Sequence, residues 1–274
     1  MPFTPSHIAA ILPFVRSPLA PAALVIGSMV PDLPYFLPLG IPRELTHSIP
    51  GVPLADLPMG ILVLVLWALV FRAPVIDFAP EWVRARFRLP TRRPDWRPPL
   101  RLVSVTLVSV TLVSLLVGIA THLVWDAFTH PDGWMVLQIA ALRTQLGPFP
   151  AYRWAQYASS IGGLMISAIW ARGWVRRTPP AGHRVFEADS GRLDSRARVT
   201  VWVILGVVQV GVALAIWIGG VTGGADPFNR TVLFHTATIS IASAGLLAVL
   251  GCLGWYLLPQ TERSTATTLP SSSA

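Results

Sequence analysis

The hydrophobic pattern of this chain comes in long uncharged runs separated by Arg- and Pro-rich loops. Five runs read as spanning helices, roughly 57–71, 102–125, 155–171, 199–220 and 231–258. The first and third lie at or below the short end of the ~17–25 residues that cross a hydrocarbon core, so flanking residues or local thinning must complete them. A further apolar stretch, 8–30, is broken by Pro13, Arg16, Pro18 and Pro21. Interior proline removes a helix hydrogen bond and clashes with the preceding turn. Each arm of this stretch has about 10–12 residues and reaches only ~15–18 Å, about half the core. The pattern predicts a re-entrant or broken helical hairpin, which places His7 and Asp32 together; a single crossing would place them on opposite sides. The expected fold is all-α, a polytopic membrane helical bundle of about five spans plus this hairpin. Residues 1–258 read as one domain, and the polar, low-complexity stretch 259–274 as a disordered tail.

Composition sharpens this reading. The chain is 53% hydrophobic and 12% charged, with mean hydropathy +0.59. A soluble domain carries about a quarter charged residues, so the deficit points to an integral membrane protein. The net charge of +8 invites a nucleic-acid reading. That reading is rejected, because the basic residues, all arginine, lie in loops beside apolar runs and set topology. The single cysteine, Cys252, lies inside an apolar run and reads as a packing residue; no cysteine pair for a disulfide or metal exists.

Arginine placement gives orientation. Loops 84–101 and 172–198 carry seven Arg each, whereas 32–56, 126–154 and 221–230 carry one, two and one. The positive-inside rule puts the rich loops and the C-terminus in the cytoplasm. His47, His122, His130 and His235 then lie at or near the outward face, together with Asp32, Glu44, Asp56, Asp126, Asp132 and Asp226. His183 alone is assigned to a cytoplasmic loop. The chemistry-bearing groups therefore gather on one side.

The sharpest motif is THLVWDAFTHPDGW, 121–134, at the mouth of an uncharged helix. His122 and Asp126 are spaced i, i+4 and share a helix face. They can ligate a metal together, or the carboxylate can hold the imidazole. His130 continues that face, but Pro131 ends the helix; His130 and Asp132 are weaker candidates, compatible with a plain turn. In PRELTHS, 42–48, His47 is a potential ligand and Glu44 a ligand or general base. In SMVPDLPYF, 28–36, Pro31 and Pro34 stiffen the backbone around Asp32. His7 opens the first apolar arm. His235 reads as structural. Three His and two Asp (His7, Asp32, His47, His122 and Asp126) suit Zn²⁺, or a dinuclear site with Zn²⁺, Mn²⁺ or Fe. A bound metal lowers the pKa of a water and supplies a nucleophile near neutral pH.

The runs PFTPSHIAAILP, GSMVPDLPYF, THS, ATHLVWDAFTHPDGW and QYASS resemble a bacterial membrane-protein family, domain of unknown function 4184, over roughly residues 2–255. More distantly, the order His, Pro-Asp, Arg-x-x-Thr-His-Ser, His-x-x-x-Asp resembles the membrane-bound metal-dependent hydrolases. It is similar, more loosely, to zinc-dependent phospholipase C proteins. The resemblance implies that His7, Asp32, His47, His122 and Asp126 are metal ligands. The hydrolases usually carry His-Arg before x-x-Thr-His-Ser; here Pro42 precedes Arg43, so one expected ligand is missing, with Glu44 or His130 as substitutes.

Two functions remain open on the residues. One is a metal-dependent hydrolase in the bacterial inner membrane, its site on the extracytoplasmic face, acting on a lipid or lipid-linked phosphoester. Arg43 or Arg153 would then neutralise phosphate oxygens, Glu44 and Arg43 would serve catalysis, and membrane lipids would be the partners. The other is a non-enzymatic transporter or assembly partner. Ionisable groups that thin out at mid-membrane favour a boundary enzyme; groups that continue through favour a path.

Overall fold

The computed structural model describes residues 4–37, 39–87, 105–180, 193–226 and 229–258. The calls on the 259–274 tail, on His183 and on much of the two Arg-rich loops fall outside these residues. The regular structure of the described residues is helical except for a small hairpin, Gln145–Leu146 paired antiparallel with Phe149–Pro150. Gly147 makes its tight turn, with φ 63°, a backbone region that favours glycine.

Among the described residues, four helical stretches are long and apolar enough to cross a membrane: Val52–Phe78, Thr106–Gln138, Ser195–Thr222 and Thr231–Trp255. The expected 155–171 span lies within a long helix, Ala151–Arg177, which is not among those four. Its first half mixes Arg153, Gln156, Ser159 and Ser160 into the apolar sequence. None of the most apolar stretch of Ser195–Thr222 is buried. Val199, Val203, Val207 and Val210 are all more than half exposed, a surface that suits hydrocarbon rather than water.

The first span is longer than its uninterrupted apolar run suggested. It extends through two π-helical turns, Val52–Asp56 and Trp67–Phe71. Each precedes a proline, Pro58 or Pro74, which cannot donate to the carbonyl four residues back. For Pro74 that carbonyl belongs to Val70. It accepts instead from the Tyr256 hydroxyl at 2.9 Å, so the last helix repairs the bond that the proline removes.

The N-terminal stretch folds back on itself. Short helical turns cover Thr4–Phe14, Arg16 is exposed at the bend, and a helix runs over Pro21–Gly27. The Thr4 hydroxyl donates to Asp32 Oδ2 at 2.7 Å, which puts the two ends of the hairpin side by side. The hairpin packs against the Val105–Thr129 helix, where Gly27 and Gly118 meet. A Cβ on Gly27 would run into the Leu115 carbonyl, and one on Gly118 into the Leu24 carbonyl. The absence of side chains there lets two backbones touch. A small apolar core of Val30, Ala55, Met59 and Ile119 is packed by Leu33, Ile41, Leu45, Val52 and Leu123. It draws on the hairpin, loop and helix that carry the histidines and on the first turns of the Val52–Phe78 helix.

A second polar cluster forms around Asp77, in the last turn of the Val52–Phe78 helix. Asp77 is fully buried. It accepts from Trp255 Nε1 at 2.8 Å and faces Arg84 at 3.5 Å and Arg198 at 3.8 Å. Arg198 also pairs with Glu81 at 2.9 Å. This network ties the first span to the last two. The helix that carries Arg198 starts cleanly, because Asp194 caps it by accepting from the Ala197 N–H at 2.7 Å.

Candidate metal centre

Four backbone devices aim the polar groups. His122 and Asp126 project from one face of the Val105–Thr129 helix, one turn apart. Asp32 closes a short turn, Val30–Asp32, and stands just before the Leu33–Phe36 helix, yet its side chain makes no capping bond there. Its carboxylate is turned inward, towards Thr4 and the histidines. His47 follows the one-turn helix Arg43–Thr46. His7 ends the opening turn Thr4–His7. All five residues expected as ligands therefore come together. His7 and His122 are 0% exposed, Asp32 2% and Asp126 4%.

Asp32, His47, His122 and Asp126 each offer one ligand atom, all within 4.8 Å of one another, an arrangement that could hold a metal ion. His47 Nε2 and His122 Nε2 are 3.3 Å apart. His47 Nε2 is 3.3 Å from Asp126 Oδ2 and 3.5 Å from Asp32 Oδ1. His122 Nε2 is 3.6 Å from each of these oxygens. Ligands held about 2.0–2.2 Å from a tetrahedral ion stand roughly 3.3–3.6 Å from one another. The five separations match those edges.

The tautomers follow from the outer contacts. His122 Nδ1–H donates to the Ser28 carbonyl at 2.9 Å. His47 Nδ1 faces the Thr46 hydroxyl at 3.0 Å and the Arg43 carbonyl at 3.3 Å. Each ring thus spends its Nδ1 outward and presents Nε2 to the centre, the usual outer arrangement of metal-binding histidine. Two Nε2 lone pairs aimed at each other beside two buried carboxylates require a shared cation, whether proton or metal. In the metal-free chain the proton serves. Burial pulls His47 down, but the Asp126 and Asp32 carboxylates outweigh it and raise its pKa to about 9. Burial pushes Asp32 up, but His47, His122 and Thr4 together hold it below the usual carboxylate range.

Arg43 and His130 border the centre. Arg43 pairs with the exposed Asp132 and approaches Asp126 Oδ2 at 3.4 Å. Gln156 Nε2 lies 3.4 Å from His130 Nε2; with the amide donating, the ring proton is on Nδ1, which faces Asp126 Oδ2 at 3.2 Å. His130 thereby braces Asp126 and is not among the four groups that could share an ion. Glu44 is exposed on the first turn of the Arg43–Thr46 helix and is not among the groups gathered. Arg153 lies over the Tyr152 ring at 5.7 Å, and His235 is exposed.

Thr4, the Ser28 carbonyl and Gln156 were not legible as site groups. Only Gln156 carried a signal, as an amide inside a long helix. Asp56 was noted only as an outward ionisable group; it is fully buried, with neither carboxylate oxygen hydrogen-bonded.

The family model for a domain of unknown function, DUF4184, matches residues 1–253. The chain belongs to that family. Every residue of the centre falls within the DUF4184 match. Comparison with curated proteins and with solved structures finds no match.

Proposed function

We propose that this DUF4184 protein is a membrane-embedded, metal-dependent hydrolase of a lipid or lipid-linked phosphoester. The observation that carries the reading is the set of four converging ligand atoms, with both histidine Nδ1 atoms already committed to outer groups. Two imidazole nitrogens and two carboxylate oxygens suit Zn²⁺ best, with Mn²⁺ or Fe as alternatives. The site belongs on the outer face of a bacterial inner membrane, with the Arg-rich loops and the C-terminus in the cytoplasm.

The position of the ionisable groups supports an enzyme over a transport path. His122, Asp126 and His130 occupy the last turns of their helix or follow it directly, and the Asp77 network lies at the opposite end of the first span. Between Val105 and Thr121 the helix carries no ionisable residue. A cleft of about 320 Å³ between the hairpin and two long helices, lined by Ala10, Val124, Trp125, Phe128 and Ala155, among others, suits part of the apolar chain of a lipid substrate. Trp125 on its wall packs edge-on to His7, so the apolar cleft adjoins the polar centre.

A divalent ion bound here lowers the pKa of a water by several units. Arg43, at the rim, is placed to pair with phosphate oxygens and neutralise charge that builds in the transition state. His130 and Thr4 hold Asp126 and Asp32 in place. In the reaction the water oxygen forms a new P–O bond and the bond from phosphorus to the leaving oxygen breaks. One water proton goes to the departing alcohol, and the other stays with the phosphate. Glu44, on the exposed side of its helix, has no part in this reading.

The test is metal analysis of detergent-purified full-length protein beside His122→Ala and Asp126→Ala, followed by release of phosphate monoester from phospholipid vesicles. At least one Zn, Mn or Fe per chain, lost in both variants together with hydrolysis, is expected. No metal above background after repletion overturns the proposal.

A further inference from the structure

Arg16 stands exposed at the bend of the N-terminal hairpin, with no ion-pair or hydrogen-bond partner among the described residues. Two contacts fix the depth of that bend. The Ala20 N–H donates to Ser114 Oγ at 2.8 Å, near the middle of the Val105–Thr129 helix. Ser114 precedes His122 by eight residues, about 12 Å at 1.5 Å per residue. The next residue, Leu115, packs against Gly60, where an added Cβ would come within 3.1 Å of its side chain. The same level therefore lies inside the Val52–Phe78 span as well. The bend carries a permanent cation into the apolar interior. A guanidinium does not shed its proton there, and a charge at such depth is kept where it meets a counter-ion.

An apolar groove of about 350 Å³ adjoins the bend. Pro21, Ala22 and Ile26 of the second arm lie on one side of it, and Val63, Trp67 and Phe71 of the first span on the other. It shares no lining residue with the cleft beside the metal centre. Along the first span it runs from Val63 towards Phe71, away from that centre.

We infer that Arg16 and this groove bind one anionic phospholipid from the leaflet opposite the metal centre. The guanidinium holds the headgroup phosphate, drawn inward towards the bend, and an acyl chain lies in the groove. A guanidinium pairs with phosphate oxygens through two parallel N–H bonds. A headgroup of net negative charge is preferred, because a zwitterionic one brings its own cation to compete with Arg16. A phosphate drawn this far thins that leaflet locally, as charges held at depth do. The lipid is a bound ligand and not the substrate, since its headgroup lies on the far side of the bend from the metal centre. The inference stands independently of the hydrolase reading.

The test uses full-length protein in detergent, stripped of lipid and titrated with dioleoyl phosphatidylglycerol or dioleoyl phosphatidylcholine. Native mass spectrometry counts the lipids held per chain. Wild type should bind one phosphatidylglycerol at least tenfold more tightly than phosphatidylcholine, and Arg16→Gln should lose that preference. The groove is read separately. One equivalent of phosphatidylglycerol with brominated chains should quench the Trp67 fluorescence, taken as the difference between wild type and Trp67→Phe. Equal affinity for the two lipids, no binding of either, or a preference that survives Arg16→Gln overturns the site. A preference without quenching of Trp67 overturns the groove as the place of the chain. Arg16 is exposed at a bend, so Arg16→Gln should fold; the wild-type comparison decides the inference even if it does not.

Discussion

The Nδ1 of His122 lies 2.9 Å from the carbonyl oxygen of Ser28, so the N-terminal hairpin sets the tautomer of a residue 94 positions away. That contact depends on two helices touching at Gly27 and Gly118. No side-chain substitution at Ser28 removes a carbonyl, but Gly118→Ala would displace it. The added Cβ meets the Leu24 carbonyl and the Ser28 N–H and pushes the hairpin off the helix. Metal affinity should fall by about 10–100-fold, as when an outer partner of a metal-binding histidine is lost. Stability should fall by about 1–3 kcal/mol from overpacking. Competition with a chelator dye and thermal unfolding measure the two effects. Unchanged affinity alongside a lower Tm would separate the hairpin from the site.

Arg43 offers a cleaner division between binding metal and using it. It is not one of the four ligands, yet it pairs with Asp132 at the rim and reaches Asp126. Arg43→Ala should keep the bound metal and lower kcat/KM for vesicle phosphoesters by about 10²–10³, the scale of losing one transition-state donor. Arg43→Lys should recover only part, because a point charge does not reproduce the two-pronged contact. Loss of the metal itself in Arg43→Ala would make the residue structural.

Much of the centre could be read from sequence because it depends on local rules. The i, i+4 spacing fixes His122 and Asp126 on one face, and prolines break 8–30 into arms too short to cross. Bringing His7 to Asp32 then follows from the chain turning back. What the sequence hides is relative orientation. Nothing local shows that the His7 and His122 rings stack, that His130 spends a nitrogen on Gln156, or that Glu44 faces outward one residue from Arg43. The Asp77 network was equally hidden. Arg84 and Arg198 read only as topology-setting arginines, Asp77 and Glu81 drew no reading, and the pairing of all four depends on how the last helices pack.

That network gives a contrast to the metal centre. Arg198 is buried and contacts both Asp77 and Glu81. Arg198→Met removes one charge from a buried set and leaves carboxylate oxygens less compensated. Breaking a buried ion pair typically costs about 3–5 kcal/mol. A large drop in Tm is expected, with metal content per folded chain unchanged because the two clusters lie at opposite ends of the first span. Tryptophan fluorescence during heating, with metal analysis of the monodisperse fraction, checks both halves. Metal loss in this variant would mean that the two ends are coupled.

The raised pKa of His47 predicts how metal binding responds to pH. In the metal-free chain the ring is held protonated up to about 9, against roughly 6.5 in an unfolded chain. The folded value is the higher one. The stabilisation it brings is therefore complete below about 6.5 and is lost as pH rises through about 9. A metal needs the neutral ring, so each ion bound below that range must displace the His47 proton. Apparent affinity should rise by about tenfold per pH unit between pH 6 and 8 from this proton alone. Over the same interval the Tm of the metal-free protein should decline, while that of the metal-loaded protein should not. Metal titrations at several pH values, repeated in buffers with different ionisation enthalpies, read out the released proton directly. A flat affinity with no proton release would mean that His47 is already neutral. The positive charge beside Asp126 would then have to come from elsewhere, with Arg43, 3.4 Å from its Oδ2, the nearest permanent cation among the described residues.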